Sequence, residues 1–396
     1  MRIGFLTTSY PRDADDSAGV FVRGLARALV DRGHTIDVLC AASSERAHAS
    51  EPGIDVHALR YAPDPLARTF YGPGAPDALR RDPRAWLGAA TYPALLAREA
   101  QRRAAGWDAI VSHWAVASGL VGTSLRTDAR PHVAILHGAD AHLLAKLPRV
   151  LTATLARGAD ALVMTSRAMR TKVLARIADA HLRLDASARA HVCAMGVDAV
   201  PPPTDAQRAA ARLVAQLTRP TLLVLARLVP IKGVGHAIDA LAGRTDVELV
   251  IAGNGPLRAS LEAHARRVRC PARFVGHVGG EAKEALLAGA DVVLVPSIEL
   301  PSGRTEGAPT VVLEAMQRGR TVIASRTGGI PDVVDDGESG LLVPPGDMAG
   351  LRAAIDRVLE DPPLRRSLEL GARERARAFE WSDIAAHIEQ LLTRSA

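Results

Sequence analysis

The chain has four lysines, Lys146, Lys172, Lys232 and Lys283, in a basic set of 49 residues. Arginine serves nearly everywhere else, so a lysine retained here marks a place that needs a compact point charge. Aromatic residues make up 3% of a sequence that is 48% hydrophobic, so the cores must be built from Ala, Val, Leu and Ile. The three cysteines, Cys40, Cys193 and Cys270, are odd in number, far apart and without CxxC spacing. That excludes a disulfide framework and a zinc ribbon, and predicts a reducing, cytoplasmic setting. No apolar run approaches the about 18 residues of a membrane-spanning helix. The opening stretch, MRIGFLTTSY, lacks the apolar core of a secretion signal and reads as a first strand. No G-x-G-x-x-G follows a strand pattern, which disfavours a nicotinamide oxidoreductase.

The 396 residues exceed what one core supports, so two domains of about 150 to 200 residues are expected. The net charge of +6 suits phosphate-bearing small molecules or an anionic membrane face. It includes no dense basic tract for nucleic acid. Short apolar runs recur, each followed by an amphipathic stretch. Seven lie in the first half, at 3–9, 35–42, 55–59, 108–113, 132–138, 161–166 and 191–195. Six lie in the second, at 221–228, 247–253, 273–278, 291–297, 321–326 and 340–344. Continuous rather than alternating apolar runs are the mark of buried parallel strands. Strand–helix alternation twice over predicts an α/β chain of two doubly wound domains facing a central cleft. The expected divisions are a first domain at 1–200, a linker at 201–218 opened by three prolines, a second domain at 219–378 and a separate amphipathic helix at 379–396. Ser382 is the expected N-cap of that helix. Residues 61–92, rich in Pro, Arg and aromatics, read as an irregular surface insertion, or as a wall for an acceptor or a membrane contact.

Ligands of open α/β sheets sit where strand ends lead into helix N-termini. After the run at 221–228, ARLVPIKG places Arg227 and Lys232 as a pyrophosphate clamp. GNGPLR offers Asn254 and Gly255 in a tight turn, with Pro256 opening a helix. Gly19 lets backbone approach a ligand, and His137 of HGAD is placed at a cleft mouth, able to hydrogen-bond a sugar hydroxyl or move a proton near neutral pH. In GRTEGAPTVVLEAM, Gly307, Ala308, Pro309 and Thr310 form the turn into a helix whose free N–H groups attract an anion. Glu314 inside that helix suits a ribose diol, and Glu306 ahead of it suits the sugar beyond the phosphates.

The set GVFVRGLARALVDRGH, HGAD, MGVD, ARLVPIKG, GNGPL, VPS, EGAPTVVLEAM, TGGIPDVV and GLLVPPGD resembles the retaining glycosyltransferases of the glycosyl transferases group 1 family (GT4), which have the GT-B fold. The resemblance covers essentially the whole chain and is more specific in the second half. It implies transfer of a sugar from a nucleotide-activated donor to a saccharide acceptor, free or lipid-linked, with retention and without a metal or other cofactor. Arg227 and Lys232 would hold the diphosphate, and Glu314 the ribose. Glu306 with residues 307–310 would place the sugar and phosphates. His137 would lie by the reacting carbon, and Gly19 by the phosphates. The last helix would cross back onto the first domain. Two departures stand out: the family's double glycine is here Ala18-Gly19, and its Gly-Phe-Gly is Gly307-Ala308-Pro309, which removes one N–H. A subgroup with Glu-Gly-aliphatic-Pro, found in polysaccharide assembly, is the nearest pattern. The alternatives are a non-catalytic bilobed sugar-binding protein, or an epimerase or phosphorylase on the same two-domain plan.

Overall fold

Each of the thirteen apolar runs becomes a strand, and every ladder between them is parallel. A parallel sheet needs a crossover after each strand, and the amphipathic stretches supply it. The computed structural model describes residues 1–396 except 14–15, 17, 43–50, 64–66, 68, 72–77, 80–81 and 394–396. Two compact units emerge: Met1–Gly196 with Trp381–Ala396, and Val197–Glu380.

The first unit carries β1 (Arg2–Leu6), β2 (Thr35–Ala41), β3 (Ile54–Leu59), β4 (Ala109–His113), β5 (His132–Leu136), β6 (Ala161–Met164) and β7 (Ala190–Val192), in the order β3-β2-β1-β4-β5-β6-β7. Alternate residues feed opposite faces. Ile3 and Phe5 join one buried cluster with Val22, Leu25 and Leu29, while Leu6 joins another with Leu39, Tyr92 and Leu96. The second unit carries β8 (Thr221–Leu225), β9 (Glu248–Ala252), β10 (Ala272–Gly276), β11 (Val292–Val295), β12 (Thr321–Ser325) and β13 (Leu341–Val343), in the order β10-β9-β8-β11-β12-β13. Both are doubly wound sheets.

Three readings of the sequence change here. Residues 61–92 lie partly outside the described residues, but the described part is not a surface loop. Tyr61, Tyr71 and Tyr92 are buried, and a helix runs over Ala85–Arg103. The aromatics are there to fill a core. Residues 201–218 are not a bare linker either. Thr204 caps a helix at Asp205–Val214, in a capping box with Gln207, and Arg208 and Arg212 tie that helix to Asp291. The last helix begins at Trp381, so Ser382 falls in its first turn.

That last helix, Trp381–Thr393, is an integral part of the first unit. Ile384, Ile388 and Leu391 enter the cluster of Val22 and Leu25, and Glu389 accepts from Arg32 Nε at 2.7 Å and pairs with His34 at 3.0 Å. Gly24 and Gly196 flank the Trp381 indole so closely that a Cβ on either would overlap the ring. Gly24→Ala should therefore cost about 1–3 kcal/mol by overpacking. In a Trp381→Ala background the same change should turn neutral or favourable, since Ala exceeds Gly in a helix by about 1 kcal/mol. Urea unfolding of the four proteins tests this; additive effects would show that the indole is not what excludes the Cβ.

Candidate active site

The second sheet reverses its strand order between β8 and β11, and the loops at the carboxyl ends of these two neighbours diverge to leave a crevice. The loop after β8 holds exposed Arg227, a short 3₁₀ turn Pro230–Lys232, and Gly233. Gly233 has φ 59°, and an added Cβ would overlap the Pro296 carbonyl oxygen. Only glycine permits that approach. Ile298 N–H also donates to the Ile231 carbonyl at 2.9 Å. The two loops are thereby stitched together, and across the stitch Lys232 Nζ lies 2.7 Å from Glu306 Oε2. Both side chains are mostly buried, at 22% and 12% exposure, so this pair is stronger than a surface salt bridge. The loop after β12 packs on the same point. Gly328, with φ 60°, backs onto the Glu306 carbonyl, and Gly329 N–H donates to Gly307 at 3.2 Å.

The helix Thr310–Gln317 starts at the residue after Pro309, which has φ −65° and ψ 129°. Proline has no N–H to offer, so the N–H groups free for an anion begin at Thr310. Glu314 stands in the second turn. Its Oε1 accepts from Lys283 Nζ at 2.8 Å, and Lys283 comes from the helix Gly280–Gly289. Arg318 Nη1 holds the Glu314 backbone carbonyl at 2.7 Å, and its Nε donates to Glu284 at 2.8 Å. Sequence reasoning did not place Lys283 in the site. The signal available was its rarity: two of the four lysines grip the two glutamates of one motif.

The glycine turn after β9 supports the Arg227 loop. A Cβ on Gly253 or Gly255 would overlap the carbonyls of Ala226 and Leu228, and Leu228 N–H donates to Asn254 O at 2.9 Å. The Asn254 side chain accepts from Arg258 Nη1 at 2.7 Å. The helix that follows begins at Arg258, two residues beyond the expected Pro256, because Pro256 and Leu257 complete the turn.

Gly19 and His137 belong to the first unit. Gly19, with φ 73°, precedes the helix Val20–Asp31, and its missing Cβ makes room for the Ser9 carbonyl. His137 follows β5, as its position required, but it is not at an open mouth: it is 5% exposed. Its Nε2 lies 3.1 Å from His113 Nδ1, with the two rings stacked, and Phe21 and Trp114 pack against it at 4.5 and 4.6 Å. Burial drives the His113 pKa down to about 3, and burial with the neighbouring His113 drives His137 well below its usual range. His137 therefore stays neutral near pH 7, and a hydrogen bond, not a charge, is what it can offer. Asp140 is buried between the loops that follow β4 and β5. It accepts the His137 N–H at 2.8 Å and the Ala115 N–H at 3.0 Å, while burial raises its pKa to about 7. It thus anchors the residue that follows Trp114, a non-glycine residue at φ 76°, and ties it to His137 in the loop after β5. His113, Trp114 and Asp140 carried no motif signal beyond HGAD.

Two doubly wound units with loops converging at the switch point define the GT-B plan. Residues 205–375 match the description "Glycosyl transferases group 1", and residues 17–184 match "Glycosyl transferase 4-like domain". The chain is 30% identical to a glycogen synthase of Mycobacterium tuberculosis, covering 99% of this chain and 94% of that protein. It is 30% identical to a phosphatidyl-myo-inositol mannosyltransferase of Mycolicibacterium smegmatis, over 98% of this chain and 92% of the other. Among solved structures it is similar to sucrose-phosphate synthase from Thermosynechococcus elongatus (TM-score 0.77, 24% identity, 99% of this chain and 98% of that one). It is also similar to Anabaena HepE in complex with UDP (TM-score 0.75, 21% identity, 100% of both chains). The chain belongs to the glycosyl transferases group 1 family and is a glycosyltransferase of GT-B fold. Among the described residues no helix is long and apolar enough to cross a membrane.

Asp140 gives a signed pH dependence. Its folded pKa, about 7, lies above the ordinary carboxyl value of 3.8, so its contribution is full at low pH and is lost as pH rises between the two. Asp140→Asn lacks that loss. Relative to wild type it should gain stability steadily from about pH 4 to about pH 7. Melting temperatures of both proteins across this range test it, and a constant difference would contradict the assigned environment.

Proposed function

We propose that this glycosyltransferase moves a sugar from a UDP- or GDP-linked donor to a saccharide acceptor, free or lipid-linked, with retention of the anomeric configuration. The observation that carries the reading is the Lys232–Glu306 pair at the β8/β11 switch point, beside the free N–H groups that open the helix Thr310–Gln317. A diphosphate needs cations and N–H donors converging on one place, and Lys232 near the start of that helix supports this reading. Arg227 and Lys232 take the diphosphate. Glu306 and residues 307–310 take the donor sugar and its phosphate. Glu314, oriented by Lys283, accepts from the ribose hydroxyls. The HepE structures hold UDP and UDP-glucose, and the mycobacterial relatives are named for glycogen synthesis and for mannosyl transfer to phosphatidyl-myo-inositol, which supports a nucleotide-sugar donor and leaves two acceptor classes. A lipid-linked acceptor would bring this +6 chain to an anionic bilayer as a peripheral protein on the cytoplasmic face.

The two glutamates of the motif, Glu306 and Glu314, are each engaged by a lysine rather than standing free as a nucleophile. We therefore include a front-face route in the proposal. The departing diphosphate oxygen takes the acceptor proton, and the fixed cations stabilise the charge that develops on it. Neutral His137 contributes a hydrogen bond near the reacting carbon. The same cations and helix start, rather than a divalent metal, neutralise the leaving group.

Three outcomes are expected. One of UDP or GDP should raise the melting temperature without Mg²⁺, by an amount equivalent to about 2.7 kcal/mol at 100 times its dissociation constant, and Glu314→Ala should remove the shift. If neither nucleotide acts, the UDP- or GDP-linked donor reading falls. With an identified donor, Lys232→Ala and Arg227→Ala should each raise the barrier by about 2–4 kcal/mol, and a chelator should leave turnover unchanged. Near-normal turnover in both variants would remove the charge-stabilisation mechanism. Proton NMR of the product should show the donor's anomeric configuration, and an inverted product would exclude the front-face route.

A further inference from the structure

A second charge cluster lies at the opposite, amino-terminal ends of the same strands. Asp291 immediately precedes β11, Arg320 immediately precedes β12, and Thr221 opens β8. Asp291 is already fully engaged. It accepts from Arg208 at 2.8 Å, from Arg212 at 2.9 Å and from the Thr221 N–H at 2.8 Å, with Arg365 at 3.9 Å. That leaves Arg320 without a carboxylate partner among the described residues. It is 6% exposed, its Nε donates to the Arg318 carbonyl at 3.1 Å, and its Nη1 has no hydrogen-bond partner among the described residues. Arg208 and Arg365 act on it as like charges, and Asp291 and Glu369 as opposite ones.

A buried guanidinium with an unused N–H is costly, and native proteins rarely leave one so. Glu369, on the helix Pro362–Arg377, has its Oε1 buried and unpartnered as well, so the two groups do not satisfy each other. Four guanidinium groups face two carboxyl groups, and the unused atoms are one strong donor and one strong acceptor. A plain anion would answer the donor and be repelled by the acceptor. An anion that also carries an O–H answers both: its oxygens accept from Arg320 and Arg365, and its hydroxyl donates to Glu369.

We propose that this cluster is a binding site for hydrogen phosphate, free or as the singly protonated phosphate of a small monoester, separate from the donor site and independent of the donor reading. Arg208 and Arg365, at 22% and 29% side-chain exposure, are the solvent-facing members of the cluster, and Arg320 is its buried member.

The test is a thermal-shift titration with sodium phosphate against sodium sulfate at matched ionic strength. Both ions stabilise proteins generally by exclusion from the surface, but sulfate carries no proton near neutral pH, so it serves as the control. Phosphate should give a saturable shift in excess of sulfate, about 5–10 °C at 100 times its dissociation constant. The excess should vanish in Arg320→Met and in the solvent-facing variant Arg365→Gln, which spares the buried position and guards against a folding defect in the first. It should persist in Lys232→Ala, which disables the donor site. A parallel titration with glycerol phosphate separates the sources: the lower half-saturation identifies free ion or ester. Equal effects of phosphate and sulfate in wild type, or an excess that survives both arginine variants, would overturn the proposal.

Discussion

The contact between Lys232 and Glu306 is the interaction on which the second unit's site depends. Each charge sits mostly out of water, and each is tolerable there only because the other is 2.7 Å away. Removing one partner of such a pair leaves an uncompensated buried charge, which costs far more than the pair is worth to stability. The glycines around it are consequences of that constraint. Gly233 and Gly328 let the loops after β8 and β12 close onto the loop after β11, and neither position accepts a side chain. A parallel sheet with its strand order reversed at β8/β11 brings the loops near each other; the glycines bring them into contact; the ion pair fixes what they present.

The two sheets share a winding and differ in electrostatics. At its strand ends the second unit keeps charges and pairs them. The first keeps histidines and strips them of charge by burial, with His113 and His137 stacked and Asp140 made a weak acid. The first arrangement suits a group that must bind and release a multiply charged anion. The second suits recognition of neutral hydroxyls, where a fixed charge would only bind water. The strain at Trp114 belongs to the same design, because Asp140 holds the backbone N–H of the residue that follows it and, with its other oxygen, that of His137.

The strands were legible because continuous apolar runs of four to eight residues have few other uses, and all thirteen formed. The helix after Pro309 was legible from its turn chemistry. What escaped was set by partners far along the chain. Residues 61–92 look like a loop by composition, yet Tyr61, Tyr71 and Tyr92 fill the space under β1 and β2 that a chain poor in aromatics leaves for them. The helix at Asp205–Val214 hid behind three prolines, and its reason for being ordered, Asp291, lies more than seventy residues away. Lys283 and Glu314 likewise meet only across two helices. His137 was rightly placed at a strand end, but burial is a property of its neighbours Phe21 and Trp114, and no spacing rule reports it.

The Trp381 indole sits between Gly24 and Gly196, so the first unit is closed by residues made nearly two hundred positions after its last strand. During synthesis, the second unit can emerge and form its sheet while the first still lacks one of its packing surfaces. The exposed cluster would be the face of Val22, Leu25 and Leu29. The order of assembly is then the reverse of the order of the chain, and a ribosome that stalls inside the second unit leaves the first one incomplete.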